Sequence, residues 1–240
     1  MPSYLLSARY LTKNYTIGAT RLEVLRGLNL DLRAGEIMAV VGESGAGKST
    51  LLHILGLLDR PTTGHILFGD RNLSALSDTE MARFRNREIG FIFQFHHLLP
   101  EFSSLENVVM PALIAGKKVR EATERARYLL DRVGLSGRLA HRPNELSGGE
   151  LQRVAVARAL INNPSIVLAD EPSGNLDHRN SEMLHELIWT LAHEHHCTFV
   201  IVTHDLPLAK RADRTFLLDD GVTHEIDMEK YREHIIFKNV

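Results

Sequence analysis

Apolar and polar positions change rhythm several times along the chain, and each change predicts a different kind of element. Short runs at 4–6 and 24–32 alternate apolar with polar residues, the pattern of strands with one covered face. After the Ala34-Gly35 turn, 37–41 is apolar without a break, as expected of a strand covered on both faces. From 51 to 58 the apolar spacing becomes helical, and Pro61 and Gly64 break it. A polar helical stretch over 77–87 leads to a strand at 89–93, and from 95 to about 160 the pattern is mostly helical. Strand signals return at 166–169 and 199–203, separated by a helix over 181–195. Strand, helix, strand in that order predicts βαβ units and an α/β fold, with the helical block inserted between them.

Composition narrows the classes. Lys and Arg total 28 against 30 for Asp and Glu, a formal net charge of -2, so no broad basic face for nucleic acid is expected. The longest apolar stretches, 54–58 and 166–169, are far shorter than the roughly 20 residues of a membrane helix. A single cysteine, Cys197, excludes an internal disulfide framework. Met1, Pro2 and Ser3 do not open a signal peptide, and a cytoplasmic location is expected.

The most specific chemistry lies at Gly42, Glu43, Ser44, Gly45, Ala46, Gly47, Lys48 and Ser49, a G-x-x-x-x-G-K-[ST] pattern between an apolar strand and a helix. Glycines there let successive backbone N–H groups turn toward a phosphate, and the helix N-terminus adds partial positive charge. Lys48 suits the β- and γ-phosphates and the Ser49 hydroxyl suits Mg²⁺. Alone, the pattern leaves kinases, GTPases and ATPases open.

Two further features restrict the choice. The strand at 166–169 runs into Asp170 and Glu171, and ligands in α/β sheets bind beyond the carboxyl ends of strands. Neighbouring strand residues face opposite sides, so Asp170 is expected to hold the Mg²⁺ shell and Glu171 to take a proton from an attacking water. The second feature is Ser147, Gly148, Gly149 and Glu150 before the helical run 151–160. Ser147 and Glu150 have the spacing of a capping box. Two consecutive glycines in a first helical turn each cost about 1 kcal/mol relative to Ala, and close approach of a ligand to the backbone would account for them. A second phosphate site, without a lysine, is the expectation there.

Taken in order, Gly42–Ser49, Gln94 after its strand, Leu146 to Glu150, Asp170 and Glu171, Ser173 to Asp177, and His204 resemble the six ordered motifs of ABC ATPases and cover nearly the whole chain. The resemblance implies an α/β P-loop NTPase (RecA-like) core with an N-terminal antiparallel β subdomain and an inserted α-helical subdomain. It places the nucleotide-binding core at 1–94 and 164–240 and the helical subdomain at 95–163. It implies ATP and Mg²⁺ as cofactors, a cradle that includes Thr50, adenine stacking on Tyr15, and contact of His204 with the γ-phosphate. Glu171, His204 and Gln94 would be catalytic, and Ser49, Gln94 and Asp170 would face the metal. A homodimer packed head to tail would bring Ser147, Gly148, Gly149 and Glu150 of one copy to the ATP of the other, as a two-fold contact requires.

Within the family, the run Phe95, His96, His97, Leu98, Leu99, Pro100, Glu101 and Phe102, continued by Leu105, Glu106, Asn107 and Val108, resembles the lipoprotein-releasing branch more closely than the macrolide-exporter or cell-division branches. That implies integral inner-membrane permease partners and a peripheral position on the cytoplasmic face of a bacterial inner membrane. A soluble ABC protein of DNA repair or ribosomes, and a small-molecule P-loop kinase, fit less well: the chain has one cassette, and a kinase has no use for Ser147 to Glu150. Glu150 stands where the family more commonly has Gln, and Gly174-Asn175 where it more commonly has Ala. The cluster His193, His195 and His196 lacks acidic or Cys partners at ligand spacing and reads as a solvated helix end.

Overall fold

The computed structural model describes residues 4–18 and 20–229. In chain order the elements are β1 (Leu6–Ile17), β2 (Thr20–Leu32), β3 (Ile37–Val41), α1 (Lys48–Leu55), β4 (Thr63–Phe68), β5 (Arg71–Asn72), α2 (Asp78–Glu88) and β6 (Ile89–Ile92). They continue with α3 (Ser104–Ile114), α4 (Val119–Arg132), α5 (Gly148–Leu160), β7 (Ile166–Asp170), α6 (His178–His195), β8 (Thr198–Val202), α7 (Leu206–Lys210), β9 (Arg214–Asp219) and β10 (Val222–Ile226). Two compact units result, one from the described residues up to Ser77 and from Val200 onward, the other from Asp78–Phe199. β8 starts in the second and ends in the first.

In the first unit, β1 and β2 form a long hairpin that β4 and β5 extend in the order β2-β1-β4-β5, all antiparallel. β3 pairs in parallel with β9, and β9 antiparallel with β10. All five residues of β3 are buried, whereas β2 reaches an alternating rhythm only in its second half. The hairpin is longer than the alternation at 4–6 and 24–32 predicts. Register shifts after Ala8, Leu11 and Lys13 break the two-residue period in β1, so polar Arg9, Lys13 and Asn14 belong to a strand that the pattern hides. Tyr10 sits at one such irregularity with φ 50, its N–H donating to Asn29 Oδ1 at 3.0 Å.

In the second unit β6 pairs in parallel with β7, and Thr198 N–H at the start of β8 donates to Ser165 O at 3.2 Å. The block at 95–160 resolves into α3, α4 and α5 with irregular segments between them. Asn107, almost fully buried in α3, organises the segment before that helix. Its Oδ1 accepts from Leu99 N–H at 2.8 Å, and its Nδ2 lies within 3.1 Å of Leu99 O and 3.0 Å of Phe102 O and Ser103 O. Cys197 is buried, its thiol 3.2 Å from Pro164 O and pushed up to about 12 by that burial.

The histidines at the end of α6 divide. His196 caps the helix in the left-handed region (φ 50) and His193 is exposed. His195 is not solvated as the sequence reading had it: it is half-buried with Nε2 shielded and unbonded, and burial first, then the Arg125 charge, hold its pKa below the ordinary value. No group of His, Cys, Asp and Glu suited to hold a metal occurs among the described residues. No helix among them is long and apolar enough to cross a membrane.

Asn107→Ala removes the acceptor of Leu99 N–H and the side-chain donor that ties Leu99 O, Phe102 O and Ser103 O together. A loss of about 1–3 kcal/mol is expected from denaturant unfolding, and an unchanged midpoint would contradict the organising role.

Candidate functional site

The first unit carries the candidate phosphate cradle. β3 ends at Val41, the chain turns through Gly42 to Ala46, and α1 begins after Gly47. Gly47 lies at φ 100, and a Cβ there would meet Val24 Cγ1 at 2.8 Å, so no other residue fits. As the N-cap it offers no side-chain acceptor, which leaves the first turn of α1 without a side-chain competitor for an incoming anion. A Cβ on Gly42 would lie 2.4 Å from Leu218 O, which explains the first glycine by packing. Lys48 folds back so that its ammonium donates to Gly42 O at 2.8 Å and Glu43 O at 3.1 Å. Glu43, Ser44, Gly45 and Ser49 are exposed, while Ala46 and Thr50 are half-buried.

Tyr15 and His204 belong to the same unit. Tyr15 is half-buried in β1, donating to Asp59 Oδ2 at 2.9 Å, with the Lys13 ammonium 4.9 Å from its ring centroid. Burial opposes the charge on Asp59, but bonds from Lys13 and Tyr15 outweigh it and hold the carboxyl below its ordinary pKa. His204 is exposed between two anchored neighbours. Thr203 N–H donates to Val40 O at 3.1 Å, and the Asp205 side chain caps α7 by accepting from Leu208 N–H at 3.0 Å.

The second unit carries the acids. β7 stops at Asp170, and Glu171 turns out of the strand at φ 44. The alternation of strand faces that was expected to separate the two carboxylates therefore does not apply to Glu171; a left-handed backbone redirects it instead. Both acids are half-buried. The chain then turns, with Gly174 N–H on Glu171 O at 3.0 Å, and buried His185 Nε2 lies 2.8 Å from Ser173 Oγ. Gln94 approaches the same turn: its Nε2 donates to Asn175 Oδ1 at 3.3 Å, and Asn175 Nδ2 donates to Gln94 O at 3.0 Å. Gln94, Phe95, Gly148, Pro172, Asn175 and Leu176 border a cavity of about 150 Å³.

Ser147 caps α5 with a complete capping box. Its Oγ accepts from Glu150 N–H at 3.3 Å, and Glu150 Oε2 accepts from Ser147 N–H at 2.8 Å and from Ser147 Oγ at 2.9 Å. Arg138 Nε adds a bond to Glu150 Oε1 at 2.9 Å. The Ser147 N–H, the Arg138 guanidinium and the Ser147 hydroxyl hold the Glu150 pKa down at about 2. Part of the glycine pair has an internal reason the sequence did not reveal: a Cβ on Gly149 would lie 3.0 Å from Asn180 Oδ1. One on Gly148 would make only ordinary contact, 3.6 Å from Leu176 Cδ2.

Gln152 and Arg158 escaped the sequence reading. Gln152 Nε2 donates to Phe93 O at 2.9 Å, and Arg158 donates to His96 O and His97 O at 2.7 Å each. A polar and a charged residue within an Ala- and Val-rich helical run were the available signal.

A P-loop motif, a buried strand that ends on Asp170 with Glu171 just beyond it and a Ser-Gly-Gly helix start are the marks of an ATP-binding cassette, and residues 25–174 match the family model for the ABC transporter. The chain belongs to the ABC transporter family and has the ATP-hydrolysing machinery of that family. Among its relatives is the lipoprotein-releasing system ATP-binding protein LolD of Geobacter metallireducens, 55% identical over 219 residues, 91% of this chain and 97% of that one. LolD of Idiomarina loihiensis is 50% identical over 225 residues, 94% of this chain and 99% of that one. A dimeric post-hydrolysis ATP-binding cassette bound to ADP and Pi superposes with a TM-score of 0.86 at 38% identity, covering 93% of this chain and 98% of that one.

Because its folded pKa is depressed, Glu150 contributes stability that is complete above its ordinary value of 4.5 and is lost as pH falls through about 2. Unfolding of Glu150→Gln and the parent chain across pH 2 to 7 is expected to show the variant weaker at neutral pH, with the gap closing in that acid window. A gap independent of pH would contradict the ion pair.

Proposed function

We propose that this chain is the ATP-hydrolysing subunit of a lipoprotein-releasing ABC transporter, bound peripherally at the cytoplasmic face of a bacterial inner membrane and working as a homodimer on integral permease subunits. The cradle at Gly47 and Lys48 carries the nucleotide part of this reading: an uncapped helix start beside a lysine held only by loop carbonyls. The cargo rests on identities of 55% and 50% to two lipoprotein-releasing ATP-binding proteins.

In this reading Gly42 to Thr50 wrap the β- and γ-phosphates, and Lys48 exchanges its carbonyl partners for phosphate oxygens. Tyr15 stacks on adenine. The Ser49 hydroxyl, the Asp170 carboxylate and the Gln94 carboxamide oxygen would hold Mg²⁺, a hard cation that takes oxygen donors of this kind. Once bound, that ion would supply neutralisation of the developing phosphate charge. Glu171 accepts a proton from water as the water oxygen bonds to the γ-phosphorus and the bond to the β–γ bridging oxygen breaks, giving ADP and phosphate. His204 donates a hydrogen bond to the γ-phosphate. Ser147, Gly148, Gly149 and Glu150 of a second copy close the site, and the helical segment 95–163 passes closure to the permease.

Glu171→Gln keeps the shape and removes the base. Phosphate release is expected to fall by about 10²-fold or more, while sizing chromatography shows an ATP-dependent dimer. Full turnover in that variant would overturn the assignment. Purification from membranes in mild detergent is expected to bring an integral permease along; recovery without any membrane partner would count against the transport reading.

A further inference from the structure

Gly174 and Asn175 both meet Gln94. Asn175 faces Gln94 with both ends of its carboxamide, and only one orientation satisfies both contacts. The Gln94 main-chain oxygen accepts only, so the Asn175 group 3.0 Å from it must be the donor Nδ2. That places Oδ1 toward the Gln94 side chain, where the partner must in turn be the donor Nε2, at 3.3 Å. The Gln94 Oε1 is thereby turned away from Asn175. A fixed backbone carbonyl thus sets the polarity of two side-chain amides in series.

Gly174 belongs to the same arrangement. A Cβ on it would stand 3.0 Å from Gln94 Nε2 and 3.4 Å from Glu171 Cβ, so an alanine at this position would press on the Gln94 amide. The main chain around Gln94 is held from α5 as well. Gln152, almost fully buried, bonds Phe93 O before it, and Arg158 bonds His96 O and His97 O after it.

We propose that Gly174 and Asn175 are positioning residues for Gln94, fixing its carboxamide so that Oε1 rather than Nε2 is presented toward the metal and water side of the site. The proposal rests on the role given above to Gln94. A freely rotating glutamine would present a donor as readily as an acceptor, and an N–H group cannot ligate a cation.

The test uses the full chain throughout. Gln94→Ala comes first: a clear fall in turnover upholds the role of Gln94, whereas unchanged turnover removes that role and the positioning with it. Asn175→Ala is then expected to lower kcat about tenfold and raise the Mg²⁺ concentration for half-maximal turnover, the usual scale for a residue that orients a ligand. KM for ATP should stay within about twofold, marking a loss expressed in turnover rather than nucleotide binding. In the Gln94→Ala background the same substitution should change kcat by less than about twofold, because its effect acts through Gln94. A readout apart from activity is the pair of Gln94 side-chain amide proton resonances in the chain free of nucleotide and metal. One is expected to be shifted by its bond to Asn175 and to lose that shift in both Asn175→Ala and Gly174→Ala. Additive losses in the Gln94→Ala background, or amide resonances unmoved by Asn175→Ala, would overturn the proposal and reduce the pair to a clasp between two loops.

Discussion

Backbone N–H groups at the start of a helix must find acceptors, and the two glycine-bearing helix starts of this protein meet that demand in opposite ways. α1 begins on Gly47, which has no side chain to offer, and the adjacent lysine bonds to loop carbonyls instead. α5 begins on Ser147, whose hydroxyl accepts from Glu150 N–H while the Glu150 carboxylate accepts from Ser147 N–H, so two of its donors are met from within the chain. In the proposed function the first start receives phosphate as folded. The second already carries a capping box that meets part of its own demand. Arg138 reinforces that box through its bond to Glu150.

Uniformly buried strands lead to the candidate site residues. β3, whose every residue is buried, delivers Gly42, and β8, equally buried, delivers His204 beyond its last residue. In the other unit β7 delivers Asp170 as its last residue. A strand covered on both faces has little freedom to slide or tilt, because any slip would move its whole apolar content. Groups at its carboxyl end inherit that stiffness, and Glu171 adds a left-handed turn that re-aims it. The cost of that φ is repaid by a turn whose closure, Gly174 N–H to Glu171 O, is in place.

Much of the site was legible from one dimension, because its motifs are local. The cradle needs glycines and a lysine within eight positions, and the capping box needs Ser147 and Glu150 three apart; both patterns appear at those positions in the structure. Less legible was the hairpin of β1, where bulges destroy the very alternation that identifies strands. His195 was misjudged for a related reason: helical spacing does not say which neighbour will bury a given side chain.

By itself, the sequence determined the family and the core βαβ succession, and it marked candidate residues for phosphate and metal, since these follow from short-range chemistry and periodicity; β4, β5, β9 and β10 lay outside its reach. Only the tertiary structure decided that Glu171 leaves its strand, that Gly149 yields to Asn180, and that Gln94 is gripped by Asn175 with Gln152 and Arg158 on either side. Those are contacts between segments up to 81 positions apart. Hydrogen-bond partners at such separation are chosen by how the elements pack, and no local pattern along the chain encodes that choice.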